Sequence, residues 1–329
     1  MSAQSDDPIK RTLWRIIAAV CFVALAGGTV GNAQSSRSAS VYLKRAVERF
    51  AKGDFEGAID DVDIALKFDP RWARAYSLRA SARLARGDLA GAIADCSAAV
   101  ELDGRDAEAF IIRGNARKAS GDLRSALEDY SRAIEANPSF AEAYCFRGTA
   151  LREKGDLDGA FADFDQSVKV NPRLAVGYNS RGIVRELKGD IQGAIADYTR
   201  AVEIDSKYAE AYYNRGNLRS TLKQTDGALA DYTRSLAINP RFASCYINRG
   251  NALRDKGELI KAIADYNRAL EINPTAAKAY ANRGLARLLQ EDAAAAEQDF
   301  AAALNLDRSL LALIEQHAGA TKERLKKRQ

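Results

Sequence analysis

The chain writes nearly the same sentence eight times at a fixed stride of 34 residues, from Ala39 to Leu310. Self-similarity at such a period marks a stack of identical supersecondary units rather than one globular core. An aromatic residue opens each unit: Tyr42, Tyr76, Phe110, Tyr144, Tyr178, Tyr212, Tyr246 and Tyr280. Four residues on stands a small one, as in Ala46, Ala80, Gly114, Gly148, Gly216 and Gly250. Twelve further on comes an alanine every time, from Ala58 to Ala296. An aromatic follows four later in six units, as in Tyr130, Phe164 and Tyr266, with Val62 and Cys96 as exceptions. Proline closes five units, at Pro70, Pro138, Pro172, Pro240 and Pro274.

Within a unit, apolar and small residues recur at three- and four-residue intervals, which predicts two amphipathic helices. Between them lies a Gly-Asp pair such as Gly53-Asp54, Gly87-Asp88 or Gly155-Asp156, with Gly257-Glu258 a near relative. Glycine can end the first helix in a left-handed conformation, and aspartate can cap the free amides of the second. One hairpin cannot bury its own apolar face, so each copy supplies the missing half of its neighbour's core. The sixth unit has Lys223-Gln224-Thr225-Asp226-Gly227 in place of the Gly-Asp turn and is expected to be a local weak point. The eighth has Glu291-Asp292 at its turn and Arg308 where proline belongs. From Ser309 the chain reads as a final amphipathic helix, in which Leu310, Leu311, Leu313 and Ile314 can cover the end of the stack. A solenoid needs such an end cap for solubility.

Aromatic, small residue, alanine, aromatic and proline at this spacing resemble the tetratricopeptide-repeat signature. The resemblance spans eight units, 39–72, 73–106, 107–140, 141–174, 175–208, 209–242, 243–276 and 277–310, followed by a capping helix and basic tail at 311–329. It implies an all-α, right-handed superhelical solenoid of antiparallel helix hairpins. It also implies a concave surface, lined by the first helices, that binds peptides or protein segments. Carried onto units six to eight, that lining includes Tyr213, Asn214, Asn217, Ile247, Asn248, Asn251, Arg254, Lys278 and Asn282. Asn214 and Asn217, like Asn248 and Asn251, are i, i+3 pairs that share a helix face. Because asparagine both donates and accepts, such a row can grip an extended peptide backbone without reading its side chains. It resembles the amide ladders of some family members. In the earlier units Leu78, Ile111, Ile112 and Phe146 give the expectation of a more apolar end. Family members that clamp an acidic C-terminal tail use five positions, of which Asn217, Asn248 and Lys278 match three. Tyr213 and Asn282 stand where cations belong, which argues against that ligand.

Two charged positions recur in all eight units. Arginine stands at 45, 79, 113, 147, 181, 215, 249 and 283, where the family pattern has leucine, and aspartate at 61, 95, 129, 163, 197, 231, 265 and 299. Six units add a second arginine one helical turn after the first. Equal recurrence of both signs points to an ion-pair ladder between helices, including Arg215, Asp231, Arg249, Asp265, Arg283 and Asp299. A cationic stripe for an anionic partner is the alternative.

The functional expectation is a non-enzymatic scaffold or adaptor that holds a partner protein or peptide segment and needs no cofactor. A self-associating envelope assembly factor that uses the repeat ends is the second reading. The sole histidine, His317, lies beyond the array, and no carboxylate is singled out as a general base. Cys21, Cys96, Cys145 and Cys245 lack the spacing of a zinc or disulfide framework. The net charge of +5 is concentrated in residues 1–38 and in the tail from Ala318, which leaves the repeats close to neutral and disfavours nucleic acid. Near the N-terminus, Lys10, Arg11 and Arg15 precede an apolar run from Ile16 to Val30, with Gly31 and Ala33 before an expected cut at Ala33–Gln34. That pattern describes a secretory signal. The run is short for a span of ~20 residues, and a retained anchor or a buried cytoplasmic helix stay open. Signal or anchor would put the repeats in the periplasm or on the outer side of the inner membrane, with membrane contact only through an uncleaved N-terminal segment. The basic tail fits a helix end whose dipole it complements better than it fits a lipid surface.

Overall fold

The computed structural model describes residues 33–312, 314–316 and 318–319, with side chains from residue 38. Residues 1–32, which hold most of the signal or anchor and linker expected at 1–38, including Cys21, lie outside the described residues, as do Leu313, His317 and the basic tail. The chain divides into two compact units at Asp190/Ile191. The first holds α1 (Ala33–Ala51), α2 (Phe55–Phe68), α3 (Ala73–Arg86), α4 (Leu89–Leu102), α5 (Ala107–Ala119), α6 (Leu123–Ala136), α7 (Ala141–Lys154), α8 (Leu157–Val170) and α9 (Ala175–Leu187). The second holds α10 (Ile191–Ile204), α11 (Ala209–Thr221), α12 (Thr225–Ile238), α13 (Ala243–Asp255), α14 (Leu259–Ile272), α15 (Ala277–Leu289) and α16 (Ala293–Leu306), then a 3₁₀ turn at Arg308–Leu310. The fold is all-α, built of tandem antiparallel hairpins, with no strand among the described residues.

Turn chemistry fixes each hairpin. Gly53, Gly87, Gly121, Gly155, Gly189 and Gly257 end first helices at φ between +81° and +90°. At the first four of these turns the following aspartate caps the second helix: the Gly57 amide donates to Asp54 Oδ1 at 3.0 Å and the Gly91 amide to Asp88 Oδ1 at 2.9 Å, whereas Glu258 gives α14 no side-chain cap. At the far end, Asn239 stops α12, and its Oδ1 accepts the Arg241 amide at 3.0 Å, a local turn that frees the chain for α13.

The sixth turn departs twice from this scheme. Lys223 is held at φ +60°, and Gln224 gives α12 no side-chain cap. Glu291 shares the first defect at φ +68°, but Asp292 still caps α16 from Ala295 at 3.1 Å. A side chain at positive φ costs about 1 kcal/mol, and a missing cap about as much again. We therefore expect Lys223→Gly with Gln224→Asp to raise the unfolding free energy by about 1–2 kcal/mol. A urea midpoint that fails to rise would mean the turn bears no strain.

Close approach of the two helices explains the small residues. Ala126 and Ala160 in the first unit, and Ala228, Ala262 and Ala296 in the second, are fully buried. The aromatic four residues later packs closely against the glycine of the partner helix. A β-carbon built on Gly250 would stand 2.7 Å from Cε1 of Tyr266, and one on Gly216 would stand 2.8 Å from Cε1 of Tyr232. In the first two hairpins the pairing is different: Ala46 goes with Val62 and Ala80 with Cys96, all fully buried. The larger partner on one helix requires the smaller one on the other.

After the eighth hairpin the described residues of 311–319 are helical. Leu310, Ile314 and Ala318 are buried against Ala281, Ala303, Leu285, Leu288 and Ala296. Leu311, expected in this cover, instead faces outward, because positions 310, 314 and 318 take the inner face at intervals of four.

Candidate functional site

First helices touch one another along the row within each unit: α3 meets α5, α5 meets α7, α11 meets α13, and α13 meets α15. Two sets of polar side chains use this row, one inside the stack and one on its face.

The inner set joins arginine to aspartate. Arg215 Nε and Nη2 donate to Asp231 Oδ2 and Oδ1 at 3.0 and 2.7 Å, and Arg219 adds 2.8 Å to Oδ2. Arg249 binds Asp265 with both contacts at 2.7 Å, and Arg283 binds Asp299 at 3.0 and 2.6 Å. In the first unit Arg79, Arg113 and Arg147 bind Asp95, Asp129 and Asp163 in the same fork. The carboxylates are buried, and each ladder arginine of the second unit lies against the aromatic that opens its hairpin, as Arg249 does on Tyr246 at 5.6 Å. The hydrogen bond to Asp265 raises the Arg249 pKa further above its usual value, so its charge is permanent.

Each guanidinium also reaches backward. Nη1 of Arg113, Arg147, Arg215, Arg249 and Arg283 donates to Ser97, Ser131, Thr199, Thr233 and Asn267 at 2.6–3.3 Å, and the acceptor always lies on the preceding hairpin's second helix. Arg79 reaches Asp63, and Arg181 reaches Asp165, in the same way. One arginine therefore ties three helices together. Sequence reasoning found the Arg–Asp recurrence but missed this third arm. Its signal was available: a polar residue stands two positions after each aspartate except the last, where Ala301 follows Asp299.

The outer set is the expected amide row. Tyr232 donates its hydroxyl to Asn217 Oδ1 at 2.9 Å, and Asn248 Nδ2 donates to the same oxygen at 2.9 Å and to the Tyr213 hydroxyl at 3.1 Å. Tyr266 donates to Asn251 Oδ1 at 2.8 Å, and Arg254 Nη1 to Asn282 Oδ1 at 3.3 Å. Tyr213 packs on Phe242 with ring centres 4.6 Å apart, and burial raises its phenol pKa. Asn214, Ile247 and the other amides are half-buried, whereas Lys278 is exposed. The row is thus gathered on three neighbouring helices, but part of its hydrogen-bonding capacity is used inside the protein. Asn115 with Tyr130 repeats the motif in the first unit at 3.2 Å.

The expected apolar end is a correction. Leu78, Ile111, Ile112 and Phe146 are all buried. They pack between neighbouring hairpins: Ile112 against Ala80, Ala92 and Cys96 of the hairpin before it, and Phe146 on the Tyr130 ring at 6.0 Å. Long apolar side chains on the first helices turn into the stack wherever alanine leaves room for them.

One carboxyl of the first unit is out of place. Glu108 has its pKa pushed up to about 7 by burial and by Asp106, with Arg74 opposing. The folded chain thus binds this proton more tightly than the unfolded chain does, and stability falls as pH rises from 4.5 toward about 7. Glu108→Gln is expected to raise the urea midpoint at pH 8 and to leave it unchanged at pH 4. Parallel pH profiles for the two chains would show that Glu108 is freely hydrated.

Buried Cys145 and Cys245 are free thiols with pKa pushed up to about 12, chiefly by burial, so they are inert packing groups. Among the described residues no cluster of three or more His, Cys, Asp or Glu could hold a metal ion, and no helix is long and apolar enough to cross a membrane.

This geometry defines an all-α tandem-hairpin repeat protein. Tetratricopeptide-repeat family models match residues 43–107 and 113–174, residues 187–223 and 250–290, and residues 209–242. The chain belongs to the tetratricopeptide-repeat family, a generally non-enzymatic family of protein-interaction scaffolds. Nothing matches among curated proteins. Among solved structures, a chain of the APC/C hetero-tetramer Cut9-Hcn1 is similar with a TM-score of 0.61 at 15% identity, over 98% of this chain and 60% of that one. PilF of Pseudomonas aeruginosa is similar with a TM-score of 0.60 at 18% identity, over 66% of this chain and 99% of that one. YrrB, described as a TPR protein with an unusual peptide-binding site, gives 0.51 at 22% identity over 59% and 99%. At these identities the likeness defines the fold.

Proposed function

We propose that the face formed by α11, α13 and α15 holds an extended segment of a partner protein, without catalysis and without a cofactor. The observation that supports this most is the half-exposed amide row carried by Asn214, Asn217, Asn248, Asn251 and Asn282, flanked by Arg254 and Lys278. Amides suit a neutral main chain, and the near-neutral charge of the repeats speaks for a peptide over nucleic acid. The body with Asn214, Asn248 and Asn282 changed to alanine is expected to lose the proteins that the unaltered body retains in a pull-down. Equal recovery by both would remove the amide row as the contact surface.

Self-association through the ends has less support. Leu310, Ile314 and Ala318 already cover the last hairpin, and Ala301 offers a following arginine no acceptor. Light scattering that showed dimers or filaments would reverse that preference. We also assign the repeats to the periplasm or the outer side of the inner membrane, on the strength of the basic and apolar pattern from Lys10 to Val30. Alkaline phosphatase fused after Leu310 in a bacterial host should then be active, and an inactive fusion would place the repeats in the cytoplasm.

A further inference from the structure

The second arginine of the ladder follows the first by one helical turn in six hairpins, but leucine stands there in the fourth and seventh, at Leu151 and Leu253. Arg49, Arg83, Arg117, Arg219 and Arg287 each bring Nη1 to Oδ2 of the ladder aspartate, at 2.8–3.2 Å. Arg49 also donates to the Gly57 carbonyl at 2.9 Å. Arg49, Arg83 and Arg185 come within 3.5–3.8 Å of the aspartate that follows the turn glycine. The carboxylates register the difference. Asp163 and Asp265, with one arginine each, are 8% exposed, against 1–5% for the five that hold two.

The seventh hairpin keeps everything around that place except the arginine. Asp265 Oδ2 accepts only Arg249 Nε, Glu258 follows the turn glycine, and Lys261 supplies the carbonyl at the position of Gly57. A cavity of about 510 Å³ opens there, bounded by Leu253, Glu258, Lys261 and Asp265 and, from the preceding hairpin, by Leu229 and Thr233. Thr233 and Lys261 are exposed, so the cavity communicates with solvent. In the fifth hairpin Arg185 lies over the ring of Phe161, the counterpart of Leu229, at 5.7 Å, so a guanidinium at this level rests on the hairpin before it. Beside the cavity, in the first turn of α14, Ile260 is 78% exposed where sister hairpins have Glu56, Arg124, Asp158 and Asp226.

We propose that this cavity docks an arginine side chain of a partner protein, which supplies from outside the guanidinium that six hairpins supply themselves. One nitrogen donates to Asp265 Oδ2 and another to Glu258, which exchanges its pairing with Lys261 for the incoming cation. The stem lies along Leu229 and Leu253, and Ile260 receives an apolar residue next to the arginine. A planar guanidinium can bridge two carboxylates, which a compact ammonium does less well. The site uses none of the residues of the amide row and stands independently of it.

The test titrates the full chain with the capped peptide Ala-Arg-Ala and follows the methyl resonances of Leu229 and Leu253 by NMR. A dissociation constant of about 1 mM is expected. The lysine version should bind roughly fivefold more weakly, and the citrulline version, similar in shape but neutral, should leave the methyls unmoved. Leu253→Arg fills the place from within, as six sister hairpins do, and should abolish binding without lowering the melting temperature. Glu258→Gln should weaken binding about threefold and provides a reading that does not depend on the first variant folding. Leu-Arg-Leu should bind about threefold tighter than Ala-Arg-Ala, and Ile260→Asp should remove that gain. Methyls that do not respond to Ala-Arg-Ala, or that respond equally in Leu253→Arg, would overturn the site. Equal binding of the citrulline peptide would overturn recognition by charge. Free arginine amide binding as tightly as Leu-Arg-Leu would overturn the protein partner.

Discussion

Replacing Asp231 by alanine is expected to lower the unfolding free energy by about 3–5 kcal/mol, because it strands two cations rather than one. Arg215 and Arg219 both donate to this carboxylate, and the Asp231 side chain is only 4% exposed. The Arg215 side chain is 11% exposed, packed by the Tyr212 ring and tied at its third arm to Thr199, so it cannot swing into water without leaving the stack. In a linear array such a loss acts through nearest-neighbour coupling. Urea unfolding should therefore lose cooperativity, and hydrogen exchange should rise first in α11 and α12. A change below about 0.5 kcal/mol would place the pair in solvent, where an ion pair contributes little.

Gly250→Ala should lower stability by roughly 1–3 kcal/mol, although alanine is the better helix former by up to ~1 kcal/mol. The added methyl would meet the Tyr266 ring at 2.7 Å, and Tyr266 is fully buried with its hydroxyl fastened to Asn251. The second hairpin supplies the compensating partner. Adding Tyr266→Cys copies the Ala80/Cys96 pair, so the double variant should recover most of what the crowding removes, less the burial lost with the ring. Thermal unfolding of the two single variants and the double variant forms a cycle. An additive result would show that the glycine and the aromatic do not sense each other.

Much of the fold was legible because each constraint is stated again in most of the eight units. The Gly-Asp turns, the buried alanines and the Asn-Pro stops each rest on local chemistry that one sequence reveals. The Arg–Asp recurrence was equally visible. What stayed hidden depends on which side of a helix a neighbour occupies. Leu78 and Phe146 read as groove lining but point into the stack, since periodicity gives a face its composition and not its direction. Leu311 failed for the same reason at the end cap. The amide row was found as a set of residues, yet nothing in the one-dimensional pattern told that Asn217 and Asn251 answer Tyr232 and Tyr266. A comparison between repeats contains that link in part: asparagine accompanies tyrosine in the third, sixth and seventh hairpins, and threonine or leucine accompanies phenylalanine in the fourth and eighth.

The backward arm of the arginines bears on how such a chain can change its length. Thr199 and Thr233 present the same hydroxyl at the same place in successive hairpins, to Arg215 and to Arg249. Excising residues 209–242 would bring Arg249 opposite Thr199 with every joint still matched. The outermost copies have no such freedom, because Glu48 stands in the open where interior hairpins have buried Ala116 or Ala252, and Ala301 ends the series with a methyl group. Copy number can thus drift in the middle of this chain while its two ends stay fixed in kind.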